Sequence, residues 1–107
     1  MTTLRLGLQS SGQTVTVASG DRLELGLEEN PTTGFRWYIE HDDNGVLILE
    51  NDAFNPPGNG VSGSGGTREL VFKVAKQGQT KLRAFYRRSW ETQKPPQGTF
   101  ELTVTAK

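Results

Sequence analysis

Leu23-Glu24-Leu25-Gly26-Leu27-Glu28-Glu29-Asn30-Pro31-Thr32-Thr33-Gly34-Phe35-Arg36-Trp37-Tyr38-Ile39 carries the pattern from which the fold is read. Leu23, Leu25 and Leu27 alternate with Arg22, Glu24 and Gly26, and Phe35, Trp37 and Ile39 resume the alternation further on. Period two is the mark of strands with one buried face. Between the two runs, Pro31 has a fixed φ and pushes Asn30 toward extended geometry. Gly34 is free to take a positive φ, and Thr32 and Thr33 are stiff at χ1. The segment reads as two strands joined by a short, stiff, hairpin-like tip that carries two hydroxyls and no charge. Residues of these types are common in ordinary turns, so the tip alone does not assign a function.

The same period extends in both directions. Toward the N-terminus, Val15 and Val17 alternate with Thr14 and Thr16, and Leu4, Leu6 and Leu8 share one face with Arg5 on the other. Ser10-Ser11-Gly12 and Ser19-Gly20-Asp21 are turns. Toward the C-terminus, His41-Asp42-Asp43-Asn44-Gly45 is a turn cluster, and Val46-Leu47-Ile48-Leu49 is consistent with a short strand buried on both faces. Leu70, Phe72 and Val74 alternate again, Gln77-Gly78-Gln79 turns into the run from Lys81 to Arg87, and Phe100, Leu102 and Val104 close the chain. About eight short strands, with turns every eight to twelve residues and no convincing amphipathic helix, predict an all-β sandwich or barrel. Trp37, on a middle strand of the chain, suits the core of a sandwich.

The 107 residues are enough for one domain, spanning 1–107, and contain no cysteine. That excludes a disulfide framework, a thiol nucleophile and a Cys-ligated zinc site, so the domain is held by burial alone. Formal charge is balanced, which argues against a generic polyanion binder. Residues 1–66 hold nine acidic and three basic side chains and residues 67–107 the reverse, but in a sheet protein such segments interleave in space. No run is long or apolar enough for a membrane span. Met1 to Arg5 enters the alternation directly, without an export signal. The chain as given therefore reads as cytoplasmic, or as the trimmed mature form of an exported protein.

Three loops stand apart from the alternation. The first is the tip. The second runs from Asn55 to Gly66 and is nearly all Asn, Pro, Gly and Ser; a loop of this length tends to be functional or disordered, and its mobility in the free protein is expected. It holds Gly63-Ser64-Gly65-Gly66, which is not a phosphate loop, because no Gly-Lys-Ser/Thr follows. The third runs from Arg88 to Gln97 and holds Arg88-Ser89-Trp90-Glu91. A tryptophan among polar loop residues, off the alternation, fits an interface anchor better than a core residue.

Asn30-Pro31-Thr32-Thr33-Gly34-Phe35, Gly63-Ser64-Gly65-Gly66 and Arg88-Ser89-Trp90-Glu91 resemble, in order and spacing, the three signature loops of the chagasin family of cysteine peptidase inhibitors. The resemblance extends over nearly the whole chain and departs at Ser89, where family members usually carry proline. It implies an immunoglobulin-like β-sandwich of about eight short antiparallel strands without a disulfide. It also implies a reversible, competitive inhibitor whose partner is a papain-like cysteine peptidase; a monomer is the default expectation for the free protein. Carried over, Thr32 and Thr33 would sit nearest the peptidase's catalytic residues, with Pro31 and Gly34 shaping the wedge. Gly65 and Gly66 would run alongside the substrate groove, and Trp90 would pack on the leaving-group side with Arg88 as a polar rim contact.

Other chemistries find little support. The one histidine, His41, lies in a turn cluster far along the chain from the three loops, so a Ser-His-Asp arrangement would rest on that turn alone. With Asp42 and Asp43 it does not supply a full metal ligand set. No cofactor is implied, and the protein is not expected to be an enzyme. The Arg87-Arg88 pair is too small, and lacks the aromatic ladder, for nucleic-acid binding. The alternative is a non-inhibitory β-sandwich binding module, adhesin-like or carbohydrate-binding, that uses Trp90 and Trp37.

Overall fold

The computed structural model describes residues 2–30, 33–42, 44–55, 66–91 and 93–107. The strands are β1 (Thr3–Leu6), β2 (Thr14–Val17), β3 (Arg22–Glu29), β4 (Phe35–His41), β5 (Leu47–Asn55), β6 (Gly66–Val74), β7 (Gly78–Arg88) and β8 (Gly98–Ala106). They form two four-stranded sheets in the orders β1-β3-β6-β5 and β2-β8-β7-β4. The sheets pack face to face because each strand turns alternate side chains inward. Leu23, Leu25 and Leu27 of β3 and Leu70, Phe72 and Val74 of β6 meet Leu82 and Ala84 of β7 and Phe100, Leu102 and Val104 of β8, all of them buried. Each of the Leu, Val and Phe side chains contributes about 1.5–3 kcal/mol when fully buried, which holds the immunoglobulin-like sandwich without a disulfide.

Pairing is not antiparallel throughout. Four of the six pairings are antiparallel, while β1 pairs with β3 and β2 with β8 in parallel. A parallel pair needs a crossover connection. Here β2, lying in the opposite sheet, is the crossover between β1 and β3.

The structure departs from the alternation in three further places. Leu8 does not continue the face of Leu4 and Leu6; it begins a single 3-10 turn, Leu8–Ser10, and is exposed. Val46 and Leu47 are buried, but Ile48 and Leu49 are not. They lie on β5, an edge strand whose register shifts between Leu49 and Asn51; Ile48 stands opposite the exposed Lys73 and faces outward, and Leu49, opposite Phe72, lies at the open edge of the sheet. His41 is the last residue of β4 rather than part of the turn, and its ring meets Phe72 edge-on at 5.9 Å. Of the loop expected to be mobile, residues 56–65 lie outside the described residues; Asn55 and Gly66 belong to β5 and β6.

At one end of the sandwich the turns are closed by short polar side chains. The Asp21 carboxylate accepts the N–H groups of Thr2 at 2.9 Å and Ala18 at 3.0 Å. Those bonds to Ala18 and Thr2 hold its pKa below the usual value. Asn44 accepts from the Val46 N–H at 3.1 Å and donates to the Gln79 carbonyl at 3.0 Å. Gly20 takes φ +96° and Gly45 φ +78°, values that L side chains rarely adopt.

Candidate functional site

The opposite end gathers the stems of the three loops. β3 ends at Glu29, whose register partner is Gly66 at the start of β6. Asn55, the end of β5, faces Thr67, and Phe35, the start of β4, faces Arg88, the end of β7. Gly66 has to be glycine: a Cβ there would run into the Asn55 carbonyl and lie 2.7 Å from Phe54 Cζ. The two sheets are tied together at this end by three hydrogen bonds. The Trp37 indole Nε1–H donates to the Glu28 carbonyl at 2.8 Å, the Trp37 backbone N–H donates to Glu29 Oε1 at 2.8 Å, and the Asn30 N–H donates to the Tyr86 hydroxyl at 3.0 Å. Tyr86 in turn stacks on Phe35 and Trp37, with ring centroids 5.2 and 4.9 Å away. The entry to the tip is thus hung from an aromatic stack.

Beneath it lies a buried ion pair. Glu29 is only 2% exposed, and its Oε2 accepts from Arg68 Nη2 at 2.7 Å and Nε at 3.1 Å. Arg68 Nη1 reaches Asp52 Oδ1 at 3.1 Å, joining β3, β5 and β6. Burial works against the charged guanidinium, but its hydrogen bonds to Glu29 and Asp52 outweigh that and raise its pKa above the usual value. The two carboxylates come from the acidic stretch of the chain and the arginine from the basic one. Loop reading overlooked this pair, although its parity was visible. Glu29 continues the inward series Leu23, Leu25, Leu27, and Arg68 precedes the inward series Leu70, Phe72, Val74.

Arg88 joins the tip to the third loop. It belongs to the inward series Leu82, Ala84, Tyr86 of β7, and its guanidinium lies 4.4 Å from the centre of the Phe35 ring. Its Nε donates to the Thr33 carbonyl at 2.9 Å and its Nη1 to Glu91 Oε1 at 2.9 Å. The tip is also folded on itself, since the Thr33 hydroxyl donates to the Asn30 carbonyl at 2.8 Å and the Thr33 N–H to the same oxygen at 3.3 Å. The Glu91 N–H donates to the Arg88 carbonyl at 3.1 Å, closing a β-turn with Ser89 second and Trp90 third. The second position of such turns is where proline's fixed φ fits best, so the turn accommodates the residue that Ser89 replaces. The hydrogen bond from Arg88, helped by the nearby Lys94, holds the Glu91 carboxyl below its usual pKa.

Trp90 is 68% exposed, yet it is placed. A Cβ at Gly34, which has φ +84°, would lie 2.5 Å from Trp90 Cη2, so the indole rests against the glycine of the tip. Among the candidate residues, the structure brings Asn30, Thr33, Gly34, Phe35, Arg88, Ser89 and Trp90 into one cluster, with Gly66 at the neighbouring stem. Arg88, expected to be a polar rim contact, is bonded within the molecule to Thr33 and Glu91. Pro31, Thr32, Gly63, Ser64 and Gly65 lie outside the described residues.

Comparison with known proteins identifies the family of the chain. The model of the family described as chagasin family peptidase inhibitor I42 matches residues 16–104. The chain is 36% identical to chagasin of Trypanosoma cruzi over 85 residues, covering 75% of this chain and 76% of that protein. It is 32% identical to amoebiasin-2 of Entamoeba histolytica over 84 residues, covering 78% and 68%. Among solved structures, the cysteine protease inhibitor EhICP2 from Entamoeba histolytica superposes with a TM-score of 0.90 at 28% identity, covering 100% of this chain and 97% of that one. The chain belongs to the chagasin family of peptidase inhibitors, a family of inhibitors and not of enzymes.

Proposed function

We propose that this protein is a reversible, competitive inhibitor of papain-like cysteine peptidases, and that the three loops at one end of its sandwich occlude the active-site cleft. The observation that carries the reading is the Arg88 bridge. In a chain of an inhibitor family, it locks the tip at Thr33 to the turn at Trp90 and leaves an aromatic side chain exposed beside them. Loops that are already ordered lose little conformational entropy on docking, and at a given interface area this is a main determinant of affinity.

In this reading Pro31, Thr32, Thr33 and Gly34 form the wedge, with the threonines nearest the catalytic Cys and His of the peptidase. Gly65 and Gly66 follow the substrate groove, and Trp90 packs on the leaving-group side. Arg88 acts as a positioning residue rather than as a rim contact. A wedge that fills the cleft must not be cut, and the Thr33 carbonyl is suited to that. It accepts a charge-assisted hydrogen bond from Arg88, which fixes its orientation within the inhibitor. Short hydroxyl side chains fill a narrow space while satisfying buried polar groups.

The test is a titration of papain with the folded protein. Stoichiometric, reversible loss of activity that is relieved by substrate, with serine and metallopeptidases unaffected, is the expected result. Full papain activity at micromolar protein would reject the reading in favour of a non-inhibitory binding module.

A further inference from the structure

On the outer face of the second sheet, just behind the tip, Arg36 of β4 stands directly opposite Arg87 of β7. Like charges directly opposite each other in an antiparallel pair are destabilising. Elsewhere this face answers its charges: Glu40 faces Arg83, and Glu101 lies 3.7 Å from both Lys81 and Arg83. The Arg87 guanidinium lies 4.2 Å from the centre of the Tyr38 ring and donates to the Arg88 carbonyl at 3.4 Å. Neither partner supplies a negative charge. Arg36 is exposed and has no carboxylate partner among the described residues. The pair is therefore an uncompensated double cation, two residues from Gly34 on one strand and three from Trp90 on the other.

We infer that Arg36 and Arg87 form a cationic shoulder that docks against an acidic rim beside the cleft of the target peptidase. This rests on the inhibitor reading above and adds the chemistry of the partner. A wedge that enters a cleft brings the sheet surface next to its tip against the rim. A rim carboxylate between the two guanidiniums would receive bidentate, charge-assisted hydrogen bonds and remove the repulsion present in the free protein. Rim charges of this kind act mainly on the association rate, and their effect fades as salt is added.

The experiment measures association of the whole inhibitor with a papain-like peptidase of net negative charge, at low and at high salt. It compares wild type, Arg36→Glu and Lys76→Glu. Lys76 is exposed at the opposite end of the sandwich, beside Gly45, so its reversal changes net charge equally without touching the shoulder. Arg36→Glu is expected to keep or raise the melting temperature, since it gives Arg87 a partner. It should slow association by about tenfold at low salt and by less at high salt, whereas Lys76→Glu should stay within about twofold of wild type. Arg36→Gln serves as the second variant, with a smaller slowing in the same direction. An unchanged rate for Arg36→Glu and Arg36→Gln, or an equal slowing by Lys76→Glu, would overturn the shoulder. Failure of wild type to inhibit would instead overturn the reading on which it rests.

Discussion

The two ends of the sandwich are built from similar turn chemistry and put it to different use. At the far end, Asp21 and Asn44 close their own turns, each with one further bond to a neighbouring segment, and glycines at positions 20 and 45 take the left-handed backbone. At the near end, Gly34 takes the same backbone conformation, but its missing Cβ makes room for the Trp90 ring. The polar contacts there also reach from loop to loop: Arg88 ties Thr33 to Glu91, and Glu29 ties β4 to β6. A turn that only reverses the chain needs to satisfy its own backbone. A turn that must present itself to a partner needs a fixed position relative to its neighbours. The difference lies less in residue types than in which element each side chain reaches.

The largest expected break in this contrast is Glu29→Ala. Removing one partner of a buried pair costs about 3–5 kcal/mol; Arg68 keeps Asp52 at 3.1 Å, which places the loss toward the lower figure, and Trp37 loses an acceptor for its N–H as well. Denaturant unfolding should show that loss, whereas Asp21→Ala at the far end should lose far less. Next comes Trp90→Ala. Interface aromatics commonly cost roughly 2 kcal/mol or more of binding when truncated, so inhibition of papain should weaken at least tenfold. Because the side chain is 68% exposed, the melting temperature should hardly move; a large drop would place the indole in the fold rather than at the interface.

Gly34→Ala and Gly20→Ala sharpen the comparison further. Both force an L residue into the left-handed region at about 1–2 kcal/mol, and both should lower the melting temperature. Nothing lies within 4 Å of a Cβ at Gly20, whereas Gly34→Ala must displace Trp90, so only the latter should weaken inhibition beyond its effect on stability. The smallest effect expected is with pH. Glu91 and Asp21 both have lowered pKa values, through Arg88 and through the Ala18 and Thr2 backbones respectively. A depressed carboxylate contributes its full stabilisation above its usual value, 4.5 for Glu91 and 3.8 for Asp21, and loses it as pH falls through the lowered value. The Arg88–Glu91 link should therefore persist from neutral pH to about pH 5. NMR titration of the two carboxyls should give midpoints below those usual values; a Glu91 midpoint at or above 4.5 would break the proposed link.

Much of this was legible from spacing. Leu23, Leu25, Leu27 and Phe35, Trp37, Ile39 announced their strands, and Trp90 stood out as a loop aromatic. The alternation failed where tertiary position overrides pattern. Ile48 and Leu49 read as core and are exposed, because β5 is an edge strand with only one covered face and Ile48 stands on the outer one, opposite Lys73. Glu29 and Arg68 were passed over because charged residues are usually placed outside, although their parity points inward. Each is tolerable there only because the other is within hydrogen-bond reach.

By itself the sequence determined the class of fold, the places where the chain turns and the loops that hold unusual residues. Those depend on local properties: side-chain alternation, the fixed φ of proline and the freedom of glycine. Tertiary structure alone decided which turns share an end, that β1 and β2 pair in parallel with distant strands, and that Arg88 reaches Thr33, 55 positions away. It also set Arg36 opposite Arg87. Such contacts follow from strand order and register, which are settled by how the two sheets bury their apolar faces together and not by any single stretch of the chain.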